Sequence, residues 1–346
     1  MALPGAAPVA ANSERMFDFA RASGERIVAM IAEDLRPRAI LTEAAFRNAA
    51  RAVLATSGSI NCLKHLQAVA VEAGLDLDVY AEFDRLAGEV PVLVAVRPNG
   101  DDSIEAFEAA GGAYGLLKEL QPMLEGDVLT VSGKTVAQNL EGVRVADDPV
   151  IRSLDNPFSR RPPIVIVRGS LAPDGGIIKL GLGEGRSLRF EGLAIVFENA
   201  DAALAAIRAG QVVAGQVLVL RGLGPRGTPG MGGASRIVFA VDGAGLGAKI
   251  AVVTDGQLSG LVNKGLVVGE VSPEALDGPL GLVADGDVIS IDAEARSIEL
   301  KVAEDELAAR RARRGTPQLL PLTGWLGVYR DNVGPLTEGG VVGRRK

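Results

Sequence analysis

Cysteine and histidine are almost missing from this 346-residue chain: Cys62 and His65 are the only residues of their kinds. That scarcity excludes a zinc site closed by Cys and His, an internal disulfide and, from one chain, the three or four thiolates that an iron–sulfur cluster takes. Aromatic residues are few, at 4%, and the net charge is −7. Nucleic acid is therefore excluded as a partner, because it calls for basic grooves and stacking faces. Long apolar runs are lacking as well. The strongest, VPVLVAV at 90–96, is far short of the ~18 residues of a membrane helix. The start, MALPGAAPVAANSE, has no basic segment leading into an apolar one, so no secretory leader and no membrane are expected, and the cytoplasm is the expected compartment.

What is abundant points to a folded protein. Hydrophobic residues make up 47%, charged residues 23%, and mean hydropathy is +0.23, enough for real cores in about two domains. Glycine, at 44 residues, is about twice its usual ~7% and falls mainly in the second part of the chain.

The chain changes character near residue 125. Before it, apolar residues recur at helical spacing. A helix is predicted from Ser13, with Met16, Phe19, Ala20, Ile27, Met30 and Ile31 on its buried side, ending before Pro37. A second follows Thr42 as N-cap, and a third follows Ser57-Gly58-Ser59 through Leu63, Leu66 and Val69. Shorter helices are predicted at 79–88 and 113–124, with VPVLVAV between them as a buried strand. After Gly126 come short β-branched runs separated by Gly, Asp and Pro: DVLTV, IVIVR, IIKL, LAIVF, QVLVL, RIVFAV, KIAVVT, GLVVGEV, DVISID and SIELKV. Such spacing predicts a β-barrel or a large mixed sheet. Helices are predicted only at Asp201–Ala209 and Glu304–Arg314, and no internal repeat is present.

Two motifs are candidates for chemistry. The loop RGLGPRGTPGMGG, residues 221–233, is rich enough in glycine for backbone N–H groups to converge on an anion, but it is neither a GxxxxGK[ST] nor a GxGxxG motif. A long irregular turn closing a barrel end is the plainer account of it. The second, TDGQLSG at 254–260, follows the strand KIAVV. A serine in such a turn is exposed where a nucleophile or base belongs, although turns of this composition are commonly only turns. With no His nearby, Ser259 needs another way to lose its proton, such as a metal.

In order along the chain stand ALPGAAP, GERIVAMIAEDLRPRAILTEAAFRNA, SGSINCLKHL, EAAGGAYGLLKEL, GDVLTVSGKTVAQNLE, VIRSLDNPFS, IVIVRGSLAPDGGIIK, VLVLRGLGPRGTPGM, TDGQLSG and GLVVGEVSPEA. This series resembles the dihydroxy-acid dehydratase family, which includes phosphogluconate and sugar-acid (aldonate) dehydratases, and the resemblance covers nearly the whole chain. It implies an α/β fold in three stretches: a helical remainder of the family's N-terminal domain at 1–125, a swivelling β-barrel-like domain similar to one in aconitases at 126–302, and a C-terminal helix and tail at 303–346. It implies a hydro-lyase that takes a 2,3-dihydroxy acid to a 2-keto acid using an iron–sulfur cluster and Mg2+. The substrate is a branched-chain precursor or a sugar acid, with VIRSLDNPFS and RGSLAPDGG leaning toward the latter.

Carried over residue by residue, the resemblance makes Ser259 the base, with Asp255, Gly256, Gly224, Pro225 and Lys134 around the substrate. It also exposes departures. Gln257 replaces an Arg. Leu223 stands where RxEGPKG has a Glu that reaches magnesium, and Glu270 replaces the His of GHVSPEA. The family's cluster cysteines and most of its magnesium ligands belong upstream of the ALPG segment, so no metal ligand is assigned here and the chain is expected to be inactive alone. The alternative function is a non-catalytic or partner-dependent C-terminal subunit. The expected partners are a small hydroxy-acid substrate and either further copies of this chain or a complementing chain that carries the cysteines.

Other residues have plainer readings. Cys62 reads as a buried, inert thiol. His65 matches the His of the family's GGSTNAVLHL segment and reads as packing or hydrogen-bonding, with catalysis the other option. Lys134 and Asn139 shape either a site wall or a loop-to-helix cap. Asp174 in APDGG is a turn residue or a magnesium ligand. Arg310, Arg311, Arg313 and Arg314 end a helix, where cations complement the carbonyl dipole.

Overall fold

The computed structural model describes residues 2–145, 148–180, 182, 187–229, 233–259, 262, 265–315 and 321–343. Its contacts divide into two units: Met1–Gly58 with Val69–Pro163, and Ser59–Ala68 with Ile164–Lys346. The change of pattern near 125 thus falls well before the division, and residues 59–68, with the first eight residues of the third helix, count with the later unit.

The first unit is helical. Its elements are α1 (Glu14–Ala32), α2 (Pro37–Ile40), α3 (Glu43–Ala55), the later part of α4 (Asn61–Ala73), α5 (Val79–Leu86), α6 (Ile104–Ala109), α7 (Gly112–Glu119) and α8 (Val136–Asn139). The N-caps are as the sequence predicts: Ser13 accepts from the Met16 N–H, and Thr42 from that of Ala45. The burial predicted for α1 is not seen. Met30 alone is buried, while Ile27 is 56% and Ile31 77% exposed. VPVLVAV is buried as predicted but joins no sheet. Val92 bridges Ser159 and Val96 bridges Asp102, and both the Leu93 and Val94 N–H groups donate to the Ala55 carbonyl. The carboxyl end of α3 and loops, rather than strands, satisfy its backbone. DVLTV likewise contributes only a bridge from Leu129 to Thr135.

The second unit is built on a closed barrel of β1 (Ile164–Gly169), β2 (Ala172–Lys179), β3 (Arg189–Phe197), β4 (Gln216–Leu220), β5 (Ala251–Thr254), β6 (Leu266–Ser272), β7 (Val288–Asp292) and β8 (Ser297–Leu300), ordered β1-β2-β6-β5-β4-β3-β7-β8. The barrel and helical region together form the α/β architecture expected. β3, β4, β5 and β6 run parallel, so their connections need crossovers. α9 (Ala200–Arg208) and α10 (Ala234–Gly243) supply two of them.

RIVFAV, a strand by its composition, is instead part of α10. Ala234, Ile237, Val238 and Val241 are its buried residues, a spacing of three and four that β-branched side chains disguise. β4 and β5 are buried almost throughout, whereas β7 alternates, as a strand with one solvated face does. Val165, Val167, Val217, Val253, Val268 and Ile289 belong to the barrel's buried cluster. The chain ends in α11 (Glu304–Arg314) and α12 (Gly324–Asn332). Among the described residues, no helix is long and apolar enough to cross a membrane.

Of the arginine cluster on α11, Arg311, Arg313 and Arg314 are exposed at the helix end as expected, and Arg310 is not. Arg310 pairs with Asp287 and donates to the Leu282 carbonyl, and Arg314 donates to the carbonyl of Ala275. APDGG is not a turn either. It lies in β2, where the register with β6 slips between Gly175 and Ile177.

Candidate active site at the carboxyl ends of the parallel strands

Parallel strands bring their carboxyl-terminal loops to one end, where ligands of such sheets bind. Here those loops follow β4 (from Arg221), β5 (from Asp255) and β6 (from Pro273). One side chain ties all three. The Asp255 carboxylate, 1% exposed, accepts from Leu223 N on Oδ1 at 2.9 Å, and on Oδ2 from Gly222 N at 3.1 Å and Ala275 N at 2.8 Å. Burial pushes its pKa up, against the pull of those donors.

The glycine-rich loop does gather its N–H groups on anions, and these anions are the chain's own. Gly222 and Leu223 serve Asp255, while Arg226 and Gly227 both donate at 3.2 Å to Glu274 Oε2. Thr228 Oγ1 donates back to the Gly222 carbonyl at 2.8 Å. Gly224 is required for this arrangement, since a Cβ there would lie 2.3 Å from Glu274 Oε2 and 2.8 Å from its Cβ. Leu223, at the position of the family's Glu, is buried.

Ser259 is half buried, and its N–H donates to Ser235 Oγ, in the first turn of α10, at 2.7 Å. The turn before it is held by Gly256, whose N–H donates to Thr254 Oγ1 and whose carbonyl accepts from Glu270. A Cβ at Gly256 would meet Ala234 and Leu223 side chains at 2.9 Å. Gly260 and residues 230–232 of the loop lie outside the described residues.

A cavity of about 370 Å³ opens beside these loops, lined among others by Asp174, Pro225, Arg226, Asp255, Ser272, Glu274 and Asp277. Of the six residues assigned to the site from sequence, Asp255 and Pro225 line it. Ser259, Gly256 and Gly224 belong to the same loops without lining it. Lys134 is in the first unit, exposed in the turn between Leu129 and Thr135. Beside it, the Asn139 side chain bonds Thr130, Ser132 and the Thr135 carbonyl, which is the loop-to-helix cap. His65 is exposed on α4.

Two residues of the site carry no signal of their own in the sequence. Glu274 sits within VSPEA, where nothing in the letters sets it apart. Burial pushes its carboxyl up to about 7, the Gly227 N–H opposes this and the Asp255 charge adds to it. Because Glu274 ionises near 4.5 when unfolded, the folded form binds more protons between these values and loses stability as pH rises through them. We expect Glu274→Gln to remove about 1–3 kcal/mol of the parent's stability loss between pH 5 and 8. Urea unfolding at both pH values checks this, and equal losses in parent and variant would refute it.

The other is Lys64, in SGSINCLKHL. It forms a buried ion pair with Glu270. Cys62 nearby is half buried, and its thiol is pushed up by burial against the charges of Lys179 and Lys64. Burial in turn pulls Lys179 down to about 8.

The chain matches known proteins along nearly its whole length. Residues 1–139 match the family model described as Dihydroxy-acid/6-phosphogluconate dehydratase N-terminal, and residues 149–340 match its C-terminal counterpart. The chain is 43% identical over 323 residues to the dihydroxy-acid dehydratase of Ignicoccus hospitalis, covering 92% of this chain and 58% of that protein. It is 39% identical to the dihydroxy-acid dehydratase of Saccharolobus islandicus strain M.14.25, over 99% of this chain and 61% of the relative. Identity to dihydroxy-acid dehydratase 1 of Methanosarcina acetivorans is 38%, over 99% and 62% respectively. The chain thus spans about three fifths of the length of these relatives.

Proposed function

The chain belongs to the dihydroxy-acid/6-phosphogluconate dehydratase family, and from that premise we propose that it serves a hydro-lyase converting a 2,3-dihydroxy acid to a 2-keto acid, with Ser259 as the base. The observation that carries this reading is the position of Ser259. It stands half buried at the carboxyl end of a parallel strand, its backbone bonded to the first turn of α10, where the helix dipole favours negative charge.

In the reaction, the Ser259 alkoxide takes the C2 proton. The freed electron pair forms the C2–C3 double bond as the C3–O bond breaks. The departing hydroxide takes up the proton that Ser259 now carries and leaves as water, which restores the alkoxide, and the enol tautomerises to the keto acid. Asp255, Gly256, Gly224 and Pro225 hold the loops around this position. The relatives are named for dihydroxy acids rather than sugar acids, which supports the former as substrate class.

The family's iron–sulfur cluster would supply the acceptor for the hydroxide, and its Mg2+ would hold the substrate. The donors of this chain do not fit them. It has one thiol, which burial holds protonated. Among the described residues, no three His, Cys, Asp or Glu side chains are placed to hold a metal ion. That single thiol favours a second reading within the proposal, a subunit that acts with a polypeptide bearing the cysteines.

The test is to produce the chain together with such a polypeptide, supply 2,3-dihydroxy acids and sugar acids, and measure keto acid. Ser259→Ala is expected to lower turnover at least about a hundredfold. Turnover unchanged in that variant would remove Ser259 from the role, and no keto acid from any of these substrates would sink the proposal.

A further inference from the structure

Glu270 is the point of strain in the barrel wall. Its φ is +55°, a region that residues with a Cβ occupy only when their surroundings over-determine it. It falls where β2 and β6 slip in register, and a bulge of this kind re-aims a side chain. The carboxylate meets Lys64 of α4, 206 residues away in sequence, with side-chain exposures of 1% for Glu270 and 6% for Lys64. Both residues are departures from the motifs this chain resembles, Lys64 from the Leu of GGSTNAVLHL and Glu270 from the His of GHVSPEA.

A buried pair is weak evidence for stability as such, so its worth lies in what it positions. The Glu270 N–H donates to the Gly256 carbonyl at 3.2 Å. Leu258, 2% exposed, lies over Gly269, where a Cβ would come within 2.2 Å of Leu258 Cδ1. Residues 269 and 270 thereby grip residues 256 and 258, two of the three that precede Ser259.

We propose that the Lys64–Glu270 pair is a positioning device for Ser259, fixing the bulge that holds the 255–259 turn at the end of β5. Its meaning for catalysis rests on the reading of Ser259 as the base, but the presence of the device does not.

The experiment compares backbone amide exchange in the full chain with exchange in the double variant Lys64→Met/Glu270→Leu. Replacing both charges together leaves neither one orphaned. Exchange at 256–259 should rise about tenfold while β4 and β7 stay within about twofold of the parent, and Lys64→Arg, which keeps the charge, should stay near the parent. If the double variant does not fold, Lys64→Gln/Glu270→Gln, which also removes both charges, gives the same comparison. Exchange at 256–259 that rises no more than in the barrel strands would overturn the proposal. In the keto-acid assay the double variant should lose kcat with KM unchanged, a split that a purely structural pair would not produce. Activity surviving in Ser259→Ala would defeat the reading of the base alone, whereas unaltered exchange would defeat the positioning device alone.

Discussion

Asp255→Ala is expected to destabilise the second unit by about 3–6 kcal/mol, because it strands two buried and one part-buried backbone N–H groups at once, each buried one worth about 1–3 kcal/mol when left without an acceptor. These donors belong to Gly222, Leu223 and Ala275, so the loops after β4 and β6 come loose together. Asp255→Asn keeps one acceptor oxygen and should lose roughly half as much. Urea midpoints measure both variants. A loss below about 1 kcal/mol for the alanine would show that the three loops do not depend on this side chain.

Lys64→Met should cost about 3–5 kcal/mol at neutral pH, the usual result of removing one partner of a buried pair and leaving the other charged. Burial pushes the Glu270 carboxyl up, and the charge of Lys64 holds it down. Without the lysine, Glu270 takes a proton on folding at a higher pH. The folded variant then binds more protons than the unfolded chain, so its deficit shrinks as pH falls. Removing both members should cost at least about 2 kcal/mol less than removing the lysine alone. A double-mutant cycle at pH 5 and pH 8 measures this, and a deficit that does not change with pH would contradict the argument.

Much of the barrel is legible in the sequence, because β-branched runs of four to seven residues between Gly, Asp and Pro have few other structures open to them. RIVFAV is the instructive exception. Its letters suit a strand, yet its buried positions follow a helical period, and only the crossover required between parallel β4 and β5 decides the matter. VPVLVAV shows the converse: apolarity gives burial but not a ladder partner. In α1 the periodicity is sound, yet only Met30 is buried.

The site is legible to the extent that its loops are. The turn carrying Ser259 and the glycine-rich loop stand out, but composition cannot say which anion a glycine-rich loop will hold. Here Asp255 and Glu274 occupy those N–H groups, and neither lies within the loop's own sequence. The Lys64–Glu270 pair was out of reach for a related reason. Each member reads alone as a surface charge, and only a helix packed on the barrel 206 residues away turns the two into a pair.

β1 and β8 meet through the single register pair Arg168 with Ser297, and a Cβ at Gly169 would lie 2.2 Å from the Ile298 carbonyl oxygen. That contact closes the sheet on itself and leaves its described strands with no raw rim on which another chain could continue the ladder. Clumping of this protein would therefore be a matter of greasy helix surfaces such as Ile27, Val28 and Ile31, to be relieved by mild detergent, and not of fibre growth from the barrel.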